Sequence, residues 1–135
     1  MGFFVDRKET FPVTIHSPSG EEATVELRKL TAGDMADRQS RMFKVDVSID
    51  QKTGKPRENT EVDVGGARLF TIYRSIVSWS LGRDVSYEAV KDLDSTVADQ
   101  IYDEIRRLNP AISREEFDLA PQGEEEEDPT ASRAR

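Results

Sequence analysis

Two short runs in which apolar and polar residues alternate, on either side of a tight turn, constrain the fold more than any other feature of this sequence. The first run spans residues 11–16 and the second spans residues 23–28. Residues 17–20 (SPSG) separate them, and a turn is expected there because proline fixes φ and glycine supplies a positive φ. A period of two is the spacing of side chains on one face of a β-strand. The sequence therefore predicts an N-terminal β-hairpin.

Three helices are predicted in the second half of the chain, where apolar residues recur every three or four positions. The clearest runs from about Ala67 to Ser80, and Gly82 follows it as a natural C-terminal stop. A short helix is expected at residues 86–90, with Ser86 as its cap. A final amphipathic helix is expected from residues 93–95 to Leu108, because the following Asn-Pro pair ends it.

One more helix and a second hairpin are predicted between the first hairpin and these helices. Thr31 can cap a helix in which Asp34 reaches back in the manner of a capping box, and this helix extends to about Phe43. From Phe43 to Val64, alternating residues flank a polar loop at residues 51–59. This pattern predicts a second hairpin, either inserted between helices or flexible.

The predicted fold class is α+β, with a small N-terminal β-hairpin, a mainly helical remainder and a possible second hairpin. Residues 1–10 lack periodicity and are expected to form a flexible arm before a single domain at residues 11–119. Residues 120–135 include the acidic run EEEED at 124–128 and no large apolar side chain. Such a segment buries too little surface to offset its ordering entropy, so a disordered acidic tail is expected.

The charge and composition of the chain argue against several classes of partner. Its 27 acidic and 19 basic residues give a formal net charge of −8, which argues against nucleic acid as the main partner. No apolar run approaches the roughly 18 residues that a membrane span needs. The first residues, MGFFVD, have neither the basic nor the apolar part of a secretory signal. We therefore expect a soluble intracellular protein without a nucleic-acid or membrane partner.

Residue types that carry common catalytic chemistry are scarce. The chain has no cysteine and only His16 as histidine, so histidine-based triads and multi-histidine metal sites are not expected. Gly65 and Gly66 fit no phosphate-binding loop, and residues 46–50 (DVSID) lack the glycine and closing glutamate of a calcium loop. We expect no enzyme, no catalytic residue, no cofactor and no metal site. A small-molecule or metal-dependent enzyme is a remote alternative.

Aromatic residues are the remaining candidates for contacts with another molecule. Trp79 borders the strongest helical stripe, where it is either a core residue, the favoured reading, or an interface anchor. Phe70 and Tyr102 lie off the main stripes of their helices and are candidates either for exposed contact residues or for a second packing face in an oligomer. His16 falls on the polar phase of a strand and is expected to be an ordinary surface residue.

Four segments, in this order, resemble a known family. They are RKLTAGD at residues 28–34, IVSWSL at 76–81, SYEAV at 86–90 and the helix that ends in LNP at 108–110. The order resembles that of the tail assembly chaperones of long-tailed bacteriophages, particularly those that infect actinobacteria. The resemblance covers about Val13 to Pro110. The predicted hairpin at 43–64 and the short linker at 82–85 depart from the family pattern.

The resemblance implies a non-enzymatic role in the cytoplasm of the host cell. Tail assembly chaperones bind the long, helical tape measure protein while the tail tube assembles around it, and they are absent from the finished particle. The tape measure protein is thus the implied partner, with the major tail protein as a second candidate, and a homo-oligomer is left as an open alternative. The two apolar helical stripes suggest a partner-binding groove lined by Leu69, Tyr73, Ile76, Trp79, Ile101 and Ile105.

An alternative is a structural virion protein of the phage tail or of the head-tail connection. Such a protein would use its hairpins to join neighbouring subunits, and it would be found in the virion instead of the cytoplasm alone.

Overall fold

The computed structural model describes residues 2–119, and for 44–47, 57–60 and 119 it describes the backbone alone. Over this range the fold is α+β, as predicted, with a three-stranded antiparallel sheet, a separate two-stranded ribbon and five helices. In chain order the elements are β1 (Phe11–His16), β2 (Glu22–Leu27), α1 (Ala32–Met42), β3 (Phe43–Ile49), β4 (Pro56–Val62), α2 (Val64–Ser75), β5 (Ile76–Trp79), α3 (Tyr87–Lys91), α4 (Ser95–Leu108) and α5 (Pro110–Leu119). The predicted acidic tail lies outside the described residues.

The first hairpin is confirmed. Strands β1 and β2 pair antiparallel, with Val13 opposite Val25, and Gly20 takes a φ of 95° in the turn between them. Strand β5 pairs antiparallel with the other edge of β2, so the strand order is β1-β2-β5. Residues 2–10 contain turns and no regular element.

The C-terminal third of the predicted helix at 67–80 is wrong. Helix α2 ends at Ser75, and Ile76 begins strand β5. Ile76 is buried whereas Val77 is 48% exposed, an alternation that fits a strand. Because β2 offers a free edge at this point, sheet pairing overrides the helical period of the sequence. Gly82 takes a φ of 79° in the turn after β5 and does not end a helix.

The remaining predicted elements exist, but the bounds of the second hairpin are wrong in two places. Strand β4 begins at Pro56, inside the loop predicted at 51–59, and Val64 begins α2 instead of continuing the hairpin. Thr31 and Asp34 form a capping box at α1, in which the Asp34 backbone N–H donates to Thr31 Oγ1 at 3.1 Å. The second hairpin exists as β3 and β4, which form a ribbon of their own. Ser86 caps α3, and α4 ends at Leu108 as expected.

Helix α5 was not predicted, because the Asn-Pro pair at 109–110 reads as a stop. Pro110 instead occupies the first position of a new helix, where its missing N–H costs nothing. The Asn109 side chain connects the end of α4 to the segment before α1. Its amide donates to the Ile105 carbonyl oxygen at 2.9 Å and its oxygen accepts the Leu30 backbone N–H at 3.0 Å.

One hydrophobic core lies between the three-stranded sheet and helices α2, α4 and α5. Its buried members are Ile15, Val25, Leu27, Ile72, Ile76, Val90, Val97, Ile101, Tyr102, Ile105 and Ile112. The apolar face of α4 supplies four of them, which explains why its amphipathic pattern is so clear in the sequence.

Helix α1 differs from α4 in what it buries: two of its three buried residues are charged. These are Asp34, Arg38 and Met42, at a spacing of four. The Asp34 carboxylate accepts hydrogen bonds from Arg28 at 2.9 Å and from Arg74 at 2.9 Å. It thereby connects the end of β2, the start of α1 and the end of α2.

These contacts control the ionisation of Asp34. Burial alone would raise the pKa of its carboxyl, but hydrogen bonds from Arg28, from the Thr31 backbone and from Arg74 lower the pKa from 3.8 to about 2. The carboxylate therefore contributes stability that is full above pH 3.8 and is lost as the pH falls through about 2.

We predict that Asp34→Asn lowers the free energy of unfolding by about 3 kcal/mol at pH 7, since it breaks a buried ionic contact. Urea denaturation followed by circular dichroism measures this, and the difference from the wild type should shrink between pH 4 and pH 2, the window of the depressed pKa. Asp37→Asn is the matched control: Asp37 lies on the same helix, is 61% exposed and approaches Arg74 only to 3.8 Å. Equal losses in the two variants would contradict the role given to Asp34.

Candidate functional site

The six residues proposed from the sequence do not line one open groove. Ile76, Ile101 and Ile105 are buried in the core, and Leu69 and Trp79 pack against it. The two apolar stripes cover each other inside the domain, which is the physical reason that no groove remains between them. Whether any of the six contacts a partner stays a prediction.

Tyr73 is the most exposed of the six, at 36%. Its ring stands edge-on to that of Tyr87, with the centroids 6.0 Å apart. Trp79 is half-buried, in keeping with the favoured core reading, and its indole N–H donates to the Arg83 carbonyl oxygen.

The reading of Phe70 and Tyr102 as exposed contact residues is wrong. Phe70 is 8% exposed and lies beneath the Arg41 guanidinium, 4.4 Å from its ring centroid. Tyr102 is 1% exposed and lies beneath Arg68 in the same way, at 4.5 Å. Long arginine side chains cover both rings, an arrangement that an apolar pattern does not reveal.

An open groove does exist, between α1 and α5, with a volume of about 670 Å³. Its apolar lining is Ala32, Met35, Ala36, Phe43 and Ala111, and its polar lining is Gln39, Arg114, Glu115 and Asp118. The α1 residues at the groove are half-buried or exposed. Helix α1 therefore directs charged side chains inward and small apolar side chains toward an open surface.

Arg38 positions the two walls of the groove. This residue is 2% exposed, and its Nε donates to Glu115 of α5 at 2.7 Å while its Nη1 donates to Thr71 of α2 at 2.8 Å. Gln39 donates to the second oxygen of Glu115 at 2.9 Å. Glu115 is thus held by two neighbouring residues of α1.

A second set of contacts fixes the other side of α5. The Tyr102 hydroxyl donates to Glu116 at 2.7 Å, and Arg106 donates to the same carboxylate at 3.1 Å. Burial, followed by the hydrogen bond to Glu116, raises the pKa of Tyr102 to about 12. Three side chains of α5 therefore attach it to the rest of the domain: the fully buried Ile112 and the carboxylates of Glu115 and Glu116.

Among the side chains that the structure describes, no three of histidine, aspartate or glutamate are grouped so as to hold a metal ion. His16 lies at the surface as expected, where its ring nitrogen is 3.2 Å from a Glu22 carboxylate oxygen. No helix among the described residues is long and apolar enough to cross a membrane.

The segments that carry the family resemblance have structural roles here. Residues 28–34 form the capping box of α1, and residues 76–79 form strand β5. The fourth and the first of the segments meet where the Asn109 side chain accepts the Leu30 N–H. The segments therefore define the frame that supports the groove.

Comparisons with protein-family models, with curated proteins and with solved structures gave no match.

The α1–α5 groove was missed because α5 was missed. Two signals could have found it: proline directly after asparagine is a common helix start, and Ala111, Arg114, Glu115 and Asp118 recur at the spacing of one helical face. The sparse apolar stripe of α1, which comprises Met35, Ala36, Met42 and Phe43, would then have indicated a neighbouring helix; in the structure Met42 is buried and the other three line the groove.

We predict that Glu115→Ala lowers the free energy of unfolding by about 2 kcal/mol, because it removes the 2.7 Å ion pair of the buried Arg38 and leaves Glu116, at 3.7 Å, as the remaining carboxylate partner. In the Glu115→Ala variant, hydrogen exchange should show the backbone amides of α5 exchanging faster than those of β1 and β2. The control is Asp103→Ala, which removes a 65% exposed carboxylate from its pair with Arg106 and should cost less than about 1 kcal/mol. Equal effects would mean that the ion pair does not hold α5.

Proposed function

We propose that this chain is a phage tail assembly chaperone that binds an apolar helical segment of the tape measure protein in the groove between α1 and α5. The single observation that carries the proposal is the orientation of α1, which buries Asp34, Arg38 and Met42 but leaves Ala36 exposed and the half-buried Met35 in the lining of an open groove. Apolar side chains that line an open groove support binding to another molecule.

The chemistry of the groove suits an amphipathic helix. Three of its apolar residues, Ala32, Ala36 and Ala111, are small and would let the backbone of a bound helix come close. Met35 is unbranched and adapts to different side chains, a property of surfaces that bind several related segments. A tape measure protein would present many such segments along its length.

The polar residues of the groove favour release as well as binding. Gln39, Arg114 and Asp118 are exposed around the apolar floor. A small contact surface with a polar rim is typical of transient complexes. A chaperone that leaves before the particle is finished needs such an interface. The net charge of −8 would keep the complex soluble meanwhile.

The test is co-purification with the long helical protein encoded beside this chain in its phage genome. Ala36→Glu places an unpaired carboxylate on the apolar floor, and we expect binding to weaken roughly tenfold or more. Because Ala36 is exposed, the variant should fold. Ile105→Asp is a poor test, since Ile105 is fully buried and its replacement would disrupt the core.

Ser113→Glu is the matched control. Ser113 is exposed on α5, is not among the groove residues and receives the same added charge. Binding should be as in the wild type. If the wild-type chain does not bind, or if Ala36→Glu binds equally well while folded, the proposed groove is wrong.

A structural virion protein is the second candidate, and the β3–β4 ribbon favours it. Among residues 2–119 no further strand pairs with this ribbon, so both of its edges are open to a neighbouring subunit. Mass spectrometry of purified particles distinguishes the candidates: a chaperone should be missing, whereas a structural protein should be present in many copies.

A further inference from the structure

The β3–β4 ribbon is an unusual element for a chain of this size. A two-stranded ribbon is at best marginally stable in water unless it packs on other structure. Phe43, Ile49 and Val62 are 37%, 67% and 54% exposed, so these three apolar side chains are only partly covered by the described part of the chain. The ribbon therefore has apolar surface and strand edges to which a further chain could bind.

The hydrogen bonds at the two ends of the ribbon show which backbone groups face outward. The Asp63 N–H donates to Met42 at one end and the Asp50 N–H donates to Lys55 at the other. Antiparallel pairs alternate between hydrogen-bonded and non-hydrogen-bonded positions. In β4, the outward positions are therefore Pro56, Glu58, Thr60 and Val62. Proline at an outward position leaves every inward hydrogen bond intact.

We propose that the free edge of β4 pairs antiparallel with β4 of a second copy of this chain, with a two-fold axis at Asn59. Over the full strand, this register places Glu58 opposite Thr60 of the second copy and Pro56 opposite its Val62. In this register each outward N–H of β4 lies opposite a carbonyl oxygen of the second copy. Pro56 has no N–H, so it leaves no donor unpaired. The result is a four-stranded sheet shared by two chains.

Charge complementarity selects the second copy as the occupant. The same register places Arg57 opposite Glu61 twice, once on each side of the axis, as opposite charges in a pair that stabilises sheets. Between Phe43 and Val62 acidic and basic residues are equal in number, whereas the whole chain carries −8. The ribbon is therefore a region where two copies meet without strong electrostatic repulsion.

The edge of β3 is the less favourable choice. Pairing β3 with itself over its full length would put the axis at Asp46, so that two carboxylates would lie directly opposite each other. Like charges in this arrangement destabilise a sheet. The proposal is independent of the groove, because it concerns a different surface and a different partner.

A cysteine at the axis tests the register directly. The chain has no cysteine of its own, so Asn59→Cys introduces a single thiol. Its counterpart in the second copy would lie at a non-hydrogen-bonded position, where Cα atoms are about 4.5 Å apart and a disulfide can form. We expect a covalent dimer on mild oxidation, seen by non-reducing electrophoresis.

Asp46→Cys is the matched control, because Asp46 lies directly across the ribbon from Asn59 on the other edge. It should remain largely monomeric under the same oxidation. A monomeric Asn59→Cys protein would overturn the proposal, and so would equal cross-linking of the two variants.

Charge reversal supplies a second measurement by analytical ultracentrifugation. Arg57→Glu and Glu61→Arg should each weaken dimerisation at least tenfold, since each puts like charges opposite each other. A mixture of the two variants restores opposite charges in the mixed dimer and should associate at least tenfold more tightly than either alone. A mixture that stays as weak as its components would contradict the register.

Discussion

The rest of the structure depends on the pairing of the two buried charges of α1. Asp34 and Arg38 can lie inside the protein because each is met by hydrogen-bonding partners from other elements. An unpaired charge there would be too costly to bury. The two contacts orient α1: once its charged face is directed inward, Met35 and Ala36 are left at the surface. The charge pairs, together with the buried Met42, thus accompany the orientation of α1 that places Met35 and Ala36 at the groove.

Local signals in the sequence predicted the elements that local chemistry decides. The turn at residues 17–20, the capping box of Thr31 and the cap at Ser86 each satisfy backbone groups within a few residues. They could be predicted without knowing the rest of the fold. Strand β5 could not, because IVSW at 76–79 continues a helical period and becomes a strand only where β2 offers an edge.

The candidate site was harder to predict than the fold, and for a definite reason. An apolar stripe shows that a helix face is covered, but not by what. The stripes of α2 and α4 are covered by each other and by the sheet, so Ile101 and Ile105 became core residues. The face that stays open belongs to α1, whose buried charges make it look in the sequence like the less promising helix.

Phe43 joins the two surfaces proposed for binding. It lines the groove as the residue that ends α1, and as the first residue of β3 it lies opposite Val62, at the outward end of β4. A helix bound in the groove would contact one side of this pair, and a second copy of the chain would extend the sheet from the other. If either event shifts Phe43, linkage requires that partner binding and dimerisation change each other's affinity by the same factor.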